Sequence, residues 1–323
     1  MHNAGAEERP AVRVNGLQKK YGSLVALDGV SFEIPRGRIL AYLGPNGAGK
    51  TTTIRILSGL LERDGGEVWI LGRDVARDPV LVKALIGVVT ENSNLYPELG
   101  CRRNLEYVGE LYGLPRALRK RRARELLEEF ALGEKAEAPF GSLSHGMKRR
   151  LTIAAGLVHR PPVLFLDEPT TGLDVPGARA LRSSIRRIAE DGTAILLTTH
   201  NLFEADELAH DIAVLVKGRI VCHGSPGEVK RRVGGPRTLI VRFSSEVPRA
   251  ALENCPAVRA VNLDSGAWRI EVSDIHDALG QMLGLCRSEN VRIEDLSASE
   301  PTLEDAFVAL LDGIGSPARE NAQ

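Results

Sequence analysis

The sequence of 323 residues is poor in aromatic side chains and has no excess of charge of either sign. Aromatic residues make up 4% of it, and 42 basic residues balance 42 acidic ones. A formal net charge of zero provides no global attraction to nucleic acid or to an acidic membrane surface. We therefore expect no nucleic-acid partner.

Cysteine is also scarce, with only four residues scattered along the chain: Cys101, Cys222, Cys255 and Cys286. Their spacing matches neither a zinc site nor the disulfide framework of a small secreted domain. Reduced thiols in the cytoplasm are the simplest interpretation.

Long hydrophobic runs are missing as well. An apolar run such as 163–166 has the length of a strand and is far too short to cross a bilayer. The first eight residues lack the basic and apolar regions of a signal peptide. With 43% hydrophobic and 26% charged residues, the composition is that of a soluble globular protein. Any role at a membrane is therefore expected to need a second, membrane-spanning chain.

The most informative segment that is present is a glycine-rich run that fits the pattern G-x-x-x-x-G-K-[ST]. Glycines let backbone N–H groups converge on phosphate oxygens at the start of a helix. Lys50 is expected at the terminal phosphates, and the hydroxyl of Thr51 is expected on Mg²⁺. The predicted nucleotide-binding residues here are Gly44, Pro45, Asn46, Gly47, Ala48, Gly49, Lys50, Thr51 and Thr52.

Two acidic residues, Asp167 and Glu168, follow a strand of four apolar residues. Such a strand end is expected beside the glycine loop, at the carboxyl edge of a parallel sheet. Asp167 would then hold Mg²⁺ through water, and Glu168 would polarise an attacking water. His200 ends the next apolar strand and could donate to a γ-phosphate, although a single histidine there is more often structural.

Residues 143–147 open a further predicted helix, with Ser144 as a natural N-cap. The apolar stripe of this helix is Met147, Leu151, Ala154 and Val158. Two interpretations are open: a well-capped helix, or a second phosphate site at a helix N-terminus.

The remaining pattern indicates an α/β core with a mainly parallel central sheet. Helix is predicted after the glycine loop, with Ile54, Leu57 and Leu61 on one face, and over 102–159. Beyond breaks at 224–226 and 234–236, alternating strands and two helices indicate a small α+β domain. The other predicted strands are 12–14, 25–27, 30–34, 39–43, 67–70, 86–89, 162–166, 193–198, 239–243, 258–263 and 268–272, and Gly29 is expected to separate 25–27 from 30–34.

The order of the motifs resembles that of the ATPase subunit of an ABC transporter. The glycine loop is followed by Leu-Ser-x-Gly, then by apolar-Asp-Glu, then by Thr-Gly-Leu-Asp at 171–174, and then by Thr-His. The resemblance covers residues from about 11 to 230. It implies a P-loop NTPase core with an antiparallel β subdomain and a helical subdomain at about 93–161.

The resemblance also implies roles for individual residues. Tyr21 would stack on adenine, Glu168 would be the general base, and His200 would sense the γ-phosphate. Two ATP molecules would be sandwiched in a head-to-tail homodimer, with Asp174 communicating across it. The signature of one subunit would contact the ATP held by the loop of the other, chiefly through its second and fourth residues; it consists of Leu143, Ser144, His145, Gly146 and Met147.

Three positions depart from the family pattern. His145 replaces a glycine and Met147 replaces a glutamine, but the phosphate-contacting positions Ser144 and Gly146 are retained. Glu91 stands where the family normally has a glutamine that touches Mg²⁺ and senses the membrane partner. A carboxylate can ligate Mg²⁺ but adds negative charge near the triphosphate. We expect altered Mg²⁺ dependence or coupling rather than lost activity.

The resemblance places the permease contact at 94–99 and the helices after it. The basic run 116–124 precedes several glutamates, so pairing on a solvated helix is the simpler account of it, and contact with the partner or with anionic lipid is the other. The tails 1–10 and 314–323 are expected to be flexible.

The C-terminal residues 237–313 resemble the extension found in the drug- and antibiotic-exporter branch, including the sequence at 300–307. A regulatory or dimerisation role is expected for them. His276 with Asp274 and Asp277 could bind metal, but an Asp-rich first turn is more often a helix cap.

The sequence thus predicts an ATP-hydrolysing subunit of an ABC exporter that lies in the cytoplasm, on the inner face of the membrane, through its permease. The alternative is a soluble ATPase of the same family acting on nucleic acid or on the ribosome. A third possibility, a regulator that binds ATP without turnover, is disfavoured by the presence of Glu168 and His200. The transported substrate cannot be read from these residues.

Overall fold

The computed structural model describes residues 9–91, 93–233, 237–264, 266–299 and 302–315. The chain divides into two compact units, Met1–Pro226 and Gly227–Gln323. Of the predicted flexible tails, only residues 9, 10, 314 and 315 are described, and the rest lies outside the described residues. The domain boundaries drawn from the sequence stay a prediction.

The first unit contains ten strands and seven α-helices among its described residues. The strands are β1 (Val12–Tyr21), β2 (Leu24–Ile34), β3 (Ile39–Leu43), β4 (Gly65–Ile70), β5 (Arg73–Asp74), β6 (Ile86–Val89), β7 (Val163–Asp167), β8 (Ala194–Thr199), β9 (Asp211–Val216) and β10 (Arg219–Gly224). The helices are α1 (Lys50–Leu57), α2 (Pro79–Leu85), α3 (Cys101–Leu111), α4 (Arg116–Glu129), α5 (His145–Gly156), α6 (Val175–Glu190) and α7 (Leu202–Leu208), with short 3₁₀ turns at Gly133–Lys135 and Phe140–Ser142.

A six-stranded sheet in the order β10-β9-β3-β8-β7-β6 forms the centre of this unit. Its strands β9, β3, β8, β7 and β6 run parallel, and only β10 is antiparallel, which confirms the predicted mainly parallel core. The carboxyl ends of parallel strands meet at one edge of a sheet. The glycine loop after β3, the acids at the end of β7 and the histidine after β8 therefore share that edge.

Both faces of the central sheet are covered, as the uninterrupted apolar strands predict. Alternate residues of β7 point to opposite faces. Leu164 and Leu166 belong to a core cluster with α3, α4, α5 and α6. Val163 and Phe165 belong to a second cluster with α1 and the antiparallel sheet. The sheet is thus held between a helical layer and a β layer.

The antiparallel sheet has the order β2-β1-β4-β5. Here the prediction of short separate strands is wrong, because residues 25–27 and 30–34 lie in one continuous strand, β2. Gly29, expected to break the strand, adopts a φ of 76° instead, and the pairing of β1 with β2 shifts register around it. Because glycine has no Cβ, it adopts a positive φ at little cost, and the resulting bulge bends the strand without ending it.

The helix after the glycine loop is shorter than its pattern predicts. It ends at Leu57, where the hydroxyl of Ser58 donates to the carbonyl of Ile54 over 2.8 Å. Ile54 and Leu57 are buried as expected. Leu61 lies beyond the helix, although it still packs against the same core. The apolar spacing therefore predicted correctly that Leu61 packs against the core, but wrongly that Leu61 lies in the helix.

The predicted helical region 102–159 consists of α3, α4 and α5 with turns between them. The side chain of Ser144 accepts from the N–H of Met147 over 3.4 Å, which confirms it as the N-cap of α5. Leu151 and Ala154 are buried along the predicted stripe, and Val158 is buried just after the helix ends.

Helix α4 carries the basic run, and its charges are paired locally. The guanidinium of Arg121 lies 3.4 Å from Glu125 at i,i+4, and that of Arg122 lies 2.7 Å from the same carboxylate. Arg119 pairs instead with Glu110 of α3 at 3.2 Å. These contacts support the simpler interpretation of the run as a solvated helix with intrahelical ion pairs.

The second unit is an α+β domain. Its antiparallel sheet has the order β12-β13-β11-β14. Its core includes Leu239, Val241 and Ile270 from the sheet and Ala278 and Met282 from a helix. The described elements are α8 (Pro226–Val233), which begins at the boundary, β11 (Arg237–Phe243), α9 (Arg249–Glu253), β12 (Val258–Asp264), β13 (Ala267–Val272), α10 (Ile275–Ser288), β14 (Ile293–Ser299) and α11 (Leu303–Gly315).

Asp274 acts as a helix cap, as the sequence favours. Its Oδ1 accepts from the N–H groups of His276 and Asp277 over 2.8 and 3.1 Å. The described residues contain no group of three or more His, Cys, Asp or Glu side chains placed to hold a metal ion, and the three residues at the start of α10 are therefore no such group. All four cysteines are free thiols.

Within the described part of the chain, none of the helices combines the length and the apolar character needed to cross a membrane.

A single buried side chain in α3 orders the loop that precedes it. Asn104 is fully buried, and its Oδ1 accepts from the N–H of Tyr96 over 2.8 Å. Its Nδ2 donates to the carbonyls of Tyr96, Leu99 and Gly100 at 3.0–3.3 Å. This buried amide therefore ties the irregular loop to α3 through four hydrogen bonds.

The variant Asn104→Ala is expected to lower the free energy of unfolding by about 2 kcal/mol, because it removes four hydrogen bonds of a buried side chain and leaves the N–H of Tyr96 without this partner. Urea denaturation measures this change. Arg103→Ala is the control, since its exposed side chain makes only a loose ion pair with Glu106 at 3.7 Å and should change stability by less than about 0.5 kcal/mol. Equal stability of Asn104→Ala and the unmodified protein would contradict the assignment.

Candidate nucleotide-binding site

The glycine loop wraps tightly between β3 and α1. Gly49 has a φ of 115°, and a Cβ there would lie 2.6 Å from the carbonyl oxygen of Ala26. Neither the conformation nor the space admits another residue. The N–H of Gly218 donates to the carbonyl of Ala48 over 3.0 Å and ties the loop to the turn between β9 and β10. The loop is thus preformed by its surroundings.

Lys50 lies at the first position of α1 and is only 8% exposed. Its Nζ donates to the carbonyls of Gly44 and Pro45 over 2.6 and 3.2 Å, so it curls over its own loop. Burial lowers the pKa of Lys50, and the carboxylates of Glu168 and Asp167 oppose this effect. An ammonium held in this way is positioned for exchange of carbonyl partners for phosphate oxygens.

One cleft of about 360 Å³ brings together most of the residues predicted to hold nucleotide and metal. Tyr21 stands at its rim with 45% of its surface exposed. Gly44 and Pro45 do not line it but accept the hydrogen bonds of Lys50. The lining residues are Tyr21, Leu24, Val25, Ala26, Asn46, Gly47, Ala48, Gly49, Lys50, Thr51, Thr52, Glu91, Asp167 and Glu168.

The oxygen donors in this cleft suit a divalent cation. Thr51, Asp167 and Glu91 all line it, and hydroxyl and carboxylate oxygens are the ligands that Mg²⁺ prefers. Asp167 ends β7, and its Oδ1 accepts a hydrogen bond from the hydroxyl of Thr198 on the neighbouring β8. Sequence reasoning missed Thr198, because its pairing with Asp167 depends on the register of two strands that are distant in sequence.

Glu168 adopts a left-handed backbone conformation, with a φ of 49°. Its N–H donates to the carbonyl of Thr198 over 3.0 Å. Its Oε2 lies 2.8 Å from Nδ1 of His200 and accepts from the hydroxyl of Thr171 over 3.3 Å. A non-glycine residue with this φ is uncommon and is typical of functional sites. The structure therefore brings the two predicted catalytic residues into contact, with Thr171 hydrogen-bonded to the same carboxylate oxygen.

The contact of Nδ1 with Glu168 leaves Nε2, the other ring nitrogen of His200, available for contact with a phosphate oxygen. The side chain of His200 is 67% exposed, so Nε2 faces no steric barrier to such a contact.

The signature residues line a different cleft, of about 550 Å³. None of its described lining residues is shared with the nucleotide cleft. Leu143 does not line it and is instead buried in the core at 7% exposure. The lining residues are Ser144, His145, Gly146, Met147, Arg150, Gly172, Leu173, Asp174, Pro176, Gly177 and Ala180.

The structure accommodates His145 through the adjacent glycine. A Cβ on Gly172 would lie 2.8 Å from Cε1 of the histidine ring, and Gly172 has a φ of 74°. The ring therefore occupies space that exists only because residue 172 has no side chain. Asp174 caps α6 by accepting from the N–H of Gly177 over 3.0 Å, at the rim of the same cleft.

A third cleft of about 280 Å³ contains part of the segment predicted to meet the permease. Leu95 and Tyr96 line it together with Leu111 and Tyr112 of the α3 region. The ring of Tyr96 meets that of Tyr107 edge to face, with centroids 5.3 Å apart. Aromatic and apolar side chains at an open groove are typical of a protein contact surface.

Sequence reasoning also missed Arg149. It lies in α5 between two other cations, Lys148 and Arg150, yet it alone of the three is buried. Its guanidinium donates to backbone carbonyls of residues 90, 91, 167, 168 and 169. Its spacing could have indicated burial, because Arg149 lies three residues before Thr152 and four before Ile153, which are both on the buried face of α5.

Comparison with protein-family models gives two matches. Residues 27–171 match the ABC transporter family. Residues 224–311 match the C-terminal domain of DrrA1-3-like ATP-binding proteins.

Relatives and solved structures agree with the family models. The daunorubicin resistance ATP-binding protein DrrA3 of Streptomyces coeruleorubidus is 40% identical over 301 residues, covering 93% of this chain and 95% of that protein. The Nod factor export ATP-binding protein I of Ralstonia nicotianae is 40% identical over 225 residues, covering 70% of each chain. A dimeric ATP-binding cassette, in a post-hydrolysis state bound to ADP and Pi, superposes with a TM-score of 0.61 at 27% identity, covering 66% of this chain and 98% of that one.

The relative from Streptomyces coeruleorubidus covers nearly the whole of this chain and of its own length. This chain belongs to the ABC transporter family, as one of its ATP-binding, ATP-hydrolysing subunits.

Proposed function

We propose that two copies of this chain hydrolyse Mg²⁺–ATP at two shared sites and drive export through a separate membrane permease. The observation that carries the proposal is the division of the site residues between two clefts of one chain. The glycine loop, Asp167 and Glu168 line one cleft, and Ser144 and Gly146 line the other. Each cleft lacks the groups that the other supplies.

ATP binding is assigned to the first cleft. The backbone N–H groups of the loop and the start of α1 would hold the phosphates, and Lys50 would turn from its carbonyl partners to the terminal phosphates. The ring of Tyr21, at the rim of the cleft, would stack on adenine. These contacts recognise a nucleoside triphosphate through its charge and its flat base.

Hydrolysis is assigned to Glu168. A water oxygen attacks the γ-phosphorus, a water proton passes to the Glu168 carboxylate, and the bond to the β-phosphate oxygen breaks to give ADP and phosphate. Thr171 and His200 hold Oε2 of this carboxylate, which orients the other oxygen. His200 would then contact the γ-phosphate and report whether it is present.

The residues that would hold Mg²⁺ are Thr51, Asp167 and Glu91, on the evidence of their oxygen donors in the nucleotide cleft. When bound, the ion would neutralise negative charge on the phosphates. Thr198 keeps Asp167 oriented by donating to Oδ1. Glu91 adds a third carboxylate to the cleft beside Asp167 and Glu168, so this chain is expected to hold the divalent ion more tightly than it would with an amide at residue 91.

A second copy of the chain would complete each site. Ser144 caps α5 and places the N-terminus of that helix on a cleft that holds no glycine loop of its own. A helix N-terminus attracts an anion, and a γ-phosphate presented by the partner fits this requirement. The dimeric cassette of similar fold supports a homodimer. Asp174, at the rim of the signature cleft, would lie at the contact between the copies.

The permease is proposed to dock at the groove lined by Leu95, Tyr96, Leu111 and Tyr112. Thr90 lines this groove, and the next residue, Glu91, lines the nucleotide cleft. A permease segment bound in the groove would therefore contact the loop that carries Glu91. Docking would place the chain on the cytoplasmic face of the cell membrane. The names of the two relatives refer to drug resistance and to export. This favours transport over the alternative of an ATPase acting on nucleic acid or ribosomes.

The second unit is matched by the DrrA-like C-terminal model, and it contributes none of the described residues that line the two clefts. Its role in dimerisation or regulation, expected from the sequence for residues 237–313, stays a prediction.

The variant Glu168→Gln is expected to lower kcat for ATP hydrolysis at least about 100-fold, because the amide cannot accept the proton of the attacking water. Its affinity for ATP should stay within about threefold, since Lys50 and the loop are untouched. Phosphate release and binding of a fluorescent ATP analogue measure the two quantities. Glu134→Gln, at an exposed position, is the matched control. Retention of the full rate by Glu168→Gln would refute the assignment of the base.

The variant Glu91→Gln is expected to raise the Mg²⁺ concentration for half-maximal hydrolysis about fivefold, which corresponds to ~1 kcal/mol of lost attraction. The reason is the loss of one negative charge from the cleft that holds the ion. A titration of Mg²⁺ at saturating ATP measures the shift, with Glu67→Gln, an exposed residue of β4, as control. An unchanged Mg²⁺ response together with an unchanged rate would contradict a metal-binding role for Glu91.

A further inference from the structure

Arg149 is the most extensively bonded buried cation that no role described above explains. It is 6% exposed and lies in the second turn of α5. A guanidinium has five N–H donors in a fixed planar arrangement. All five are satisfied here by backbone carbonyls, and none of these bonds is to a carboxylate oxygen.

The carbonyls belong to two separate loops. Nη1 donates to Thr90 and Glu91, over 2.6 and 3.3 Å, in the loop after β6. Nη2 donates to Asp167 and Glu168 over 2.6 and 2.9 Å, in the turn after β7. Nε donates to Pro169, in the same turn, over 2.8 Å. One side chain therefore clamps the segment of Glu91 to the segment of Asp167 and Glu168.

The clamp acts on backbone that needs support. Glu168 has a φ of 49°, a conformation that costs a non-glycine residue free energy. Arg149 holds the carbonyl before it, its own carbonyl and the carbonyl after it. The orientation of the Glu168 carboxylate, and so its contact with His200, depends on the backbone that these three bonds fix.

The same side chain is rigidly connected to the signature cleft. Gly146 and His145 lie three and four residues before Arg149 on α5, which is one helical turn, or about 5.4 Å along the axis. An α-helix transmits displacement along its axis because its backbone bonds are continuous. A shift of the α5 N-terminus would therefore move the guanidinium and the two loops attached to it.

We propose that Arg149 is a positioning residue that couples the two half-sites of one chain, linking the signature it presents to its partner's ATP with the Glu91 and Glu168 segments of its own ATP site. The coupling rests on the proposed function, since it requires that the two clefts serve different ATP molecules. Binding of the partner's γ-phosphate at Ser144 would then fix the backbone position of Glu168 and Glu91 in this chain.

Among the described residues, neither of the neighbouring cations, Lys148 and Arg150, is hydrogen-bonded to the two loops that Arg149 connects. Arg150 donates to the carbonyl of Phe130 over 3.0 Å, within the helical layer. Lys148 lies over the ring of Phe140, 5.8 Å from its centroid. A lysine at position 149 would keep the charge but would offer three donors on a single nitrogen, which cannot reach both loops with the planar geometry of the guanidinium.

The test compares Arg149→Lys with Arg122→Lys. Arg122 is a matched control, since it is also largely buried and donates to the carbonyls of Leu157 and Val158, away from both clefts. Two readouts are measured on the full chain. Hydrogen–deuterium exchange is followed in the nucleotide-free protein, and ATP hydrolysis is measured for kcat, for KM and for cooperativity in ATP.

We expect Arg149→Lys to speed exchange in peptides covering 88–91 and 167–171 at least about tenfold, and Arg122→Lys to leave those peptides unchanged. We expect kcat to fall at least about tenfold with KM within about threefold, and any cooperativity between ATP sites to be lost, whereas Arg122→Lys keeps all three. Unchanged exchange in both loops would overturn the proposal, as would equal losses of kcat in the two variants. Failure of the unmodified chain to hydrolyse ATP would instead refute the proposed function, and the exchange result would still decide the role of Arg149.

Discussion

The pairing of three parallel strands, β3, β8 and β7, is the constraint on which the rest of the site depends. Leu43 lies opposite Thr199, and Thr198 lies opposite Asp167, so the ends of the three strands are level. This register brings the glycine loop, the acid pair and His200 to one edge of the sheet, although more than a hundred residues of sequence lie between the loop and the acid pair. A shift of one residue would send Asp167 to the opposite face and would break its bond with Thr198.

The residues at that edge do not include the signature residues that the proposed ATP site also needs. A chain that kept the glycine loop and the signature in one cleft could hydrolyse ATP without moving. Because Ser144 and Lys50 lie in separate clefts, the proposed function requires two copies to close on each other before a site is complete. Closure would then be the mechanical step, and the groove lined by Leu95, Tyr96, Leu111 and Tyr112 would be the place where a membrane partner receives it. Within each chain, Arg149 is the physical connection between the half-site that is offered and the half-site that is completed.

The local parts of this architecture could be predicted from the sequence, because neighbouring residues alone determine them. The loop around Lys50, the cap at Ser144 and the acids after an apolar strand are of this kind. Contacts across the fold could not be predicted. Gly29 bulges a strand that it was expected to end, because β1 holds both sides of it. Arg149 stands among three consecutive cations, and only the packing of α5 against two loops distinguishes it.

If the signature of one chain completes the ATP site of the other, a change at Ser144 must prevent dimerisation. This is tested by the molecular mass of the Glu168→Gln protein with Mg²⁺–ATP, by light scattering during size exclusion, compared with that of Glu168→Gln carrying Ser144→Arg as well. We expect the first protein to have the mass of two chains, and the second to stay at the mass of one while still binding ATP through its intact loop. Equal dimerisation of both proteins, or loss of ATP binding by the single chain with Ser144→Arg, would contradict it.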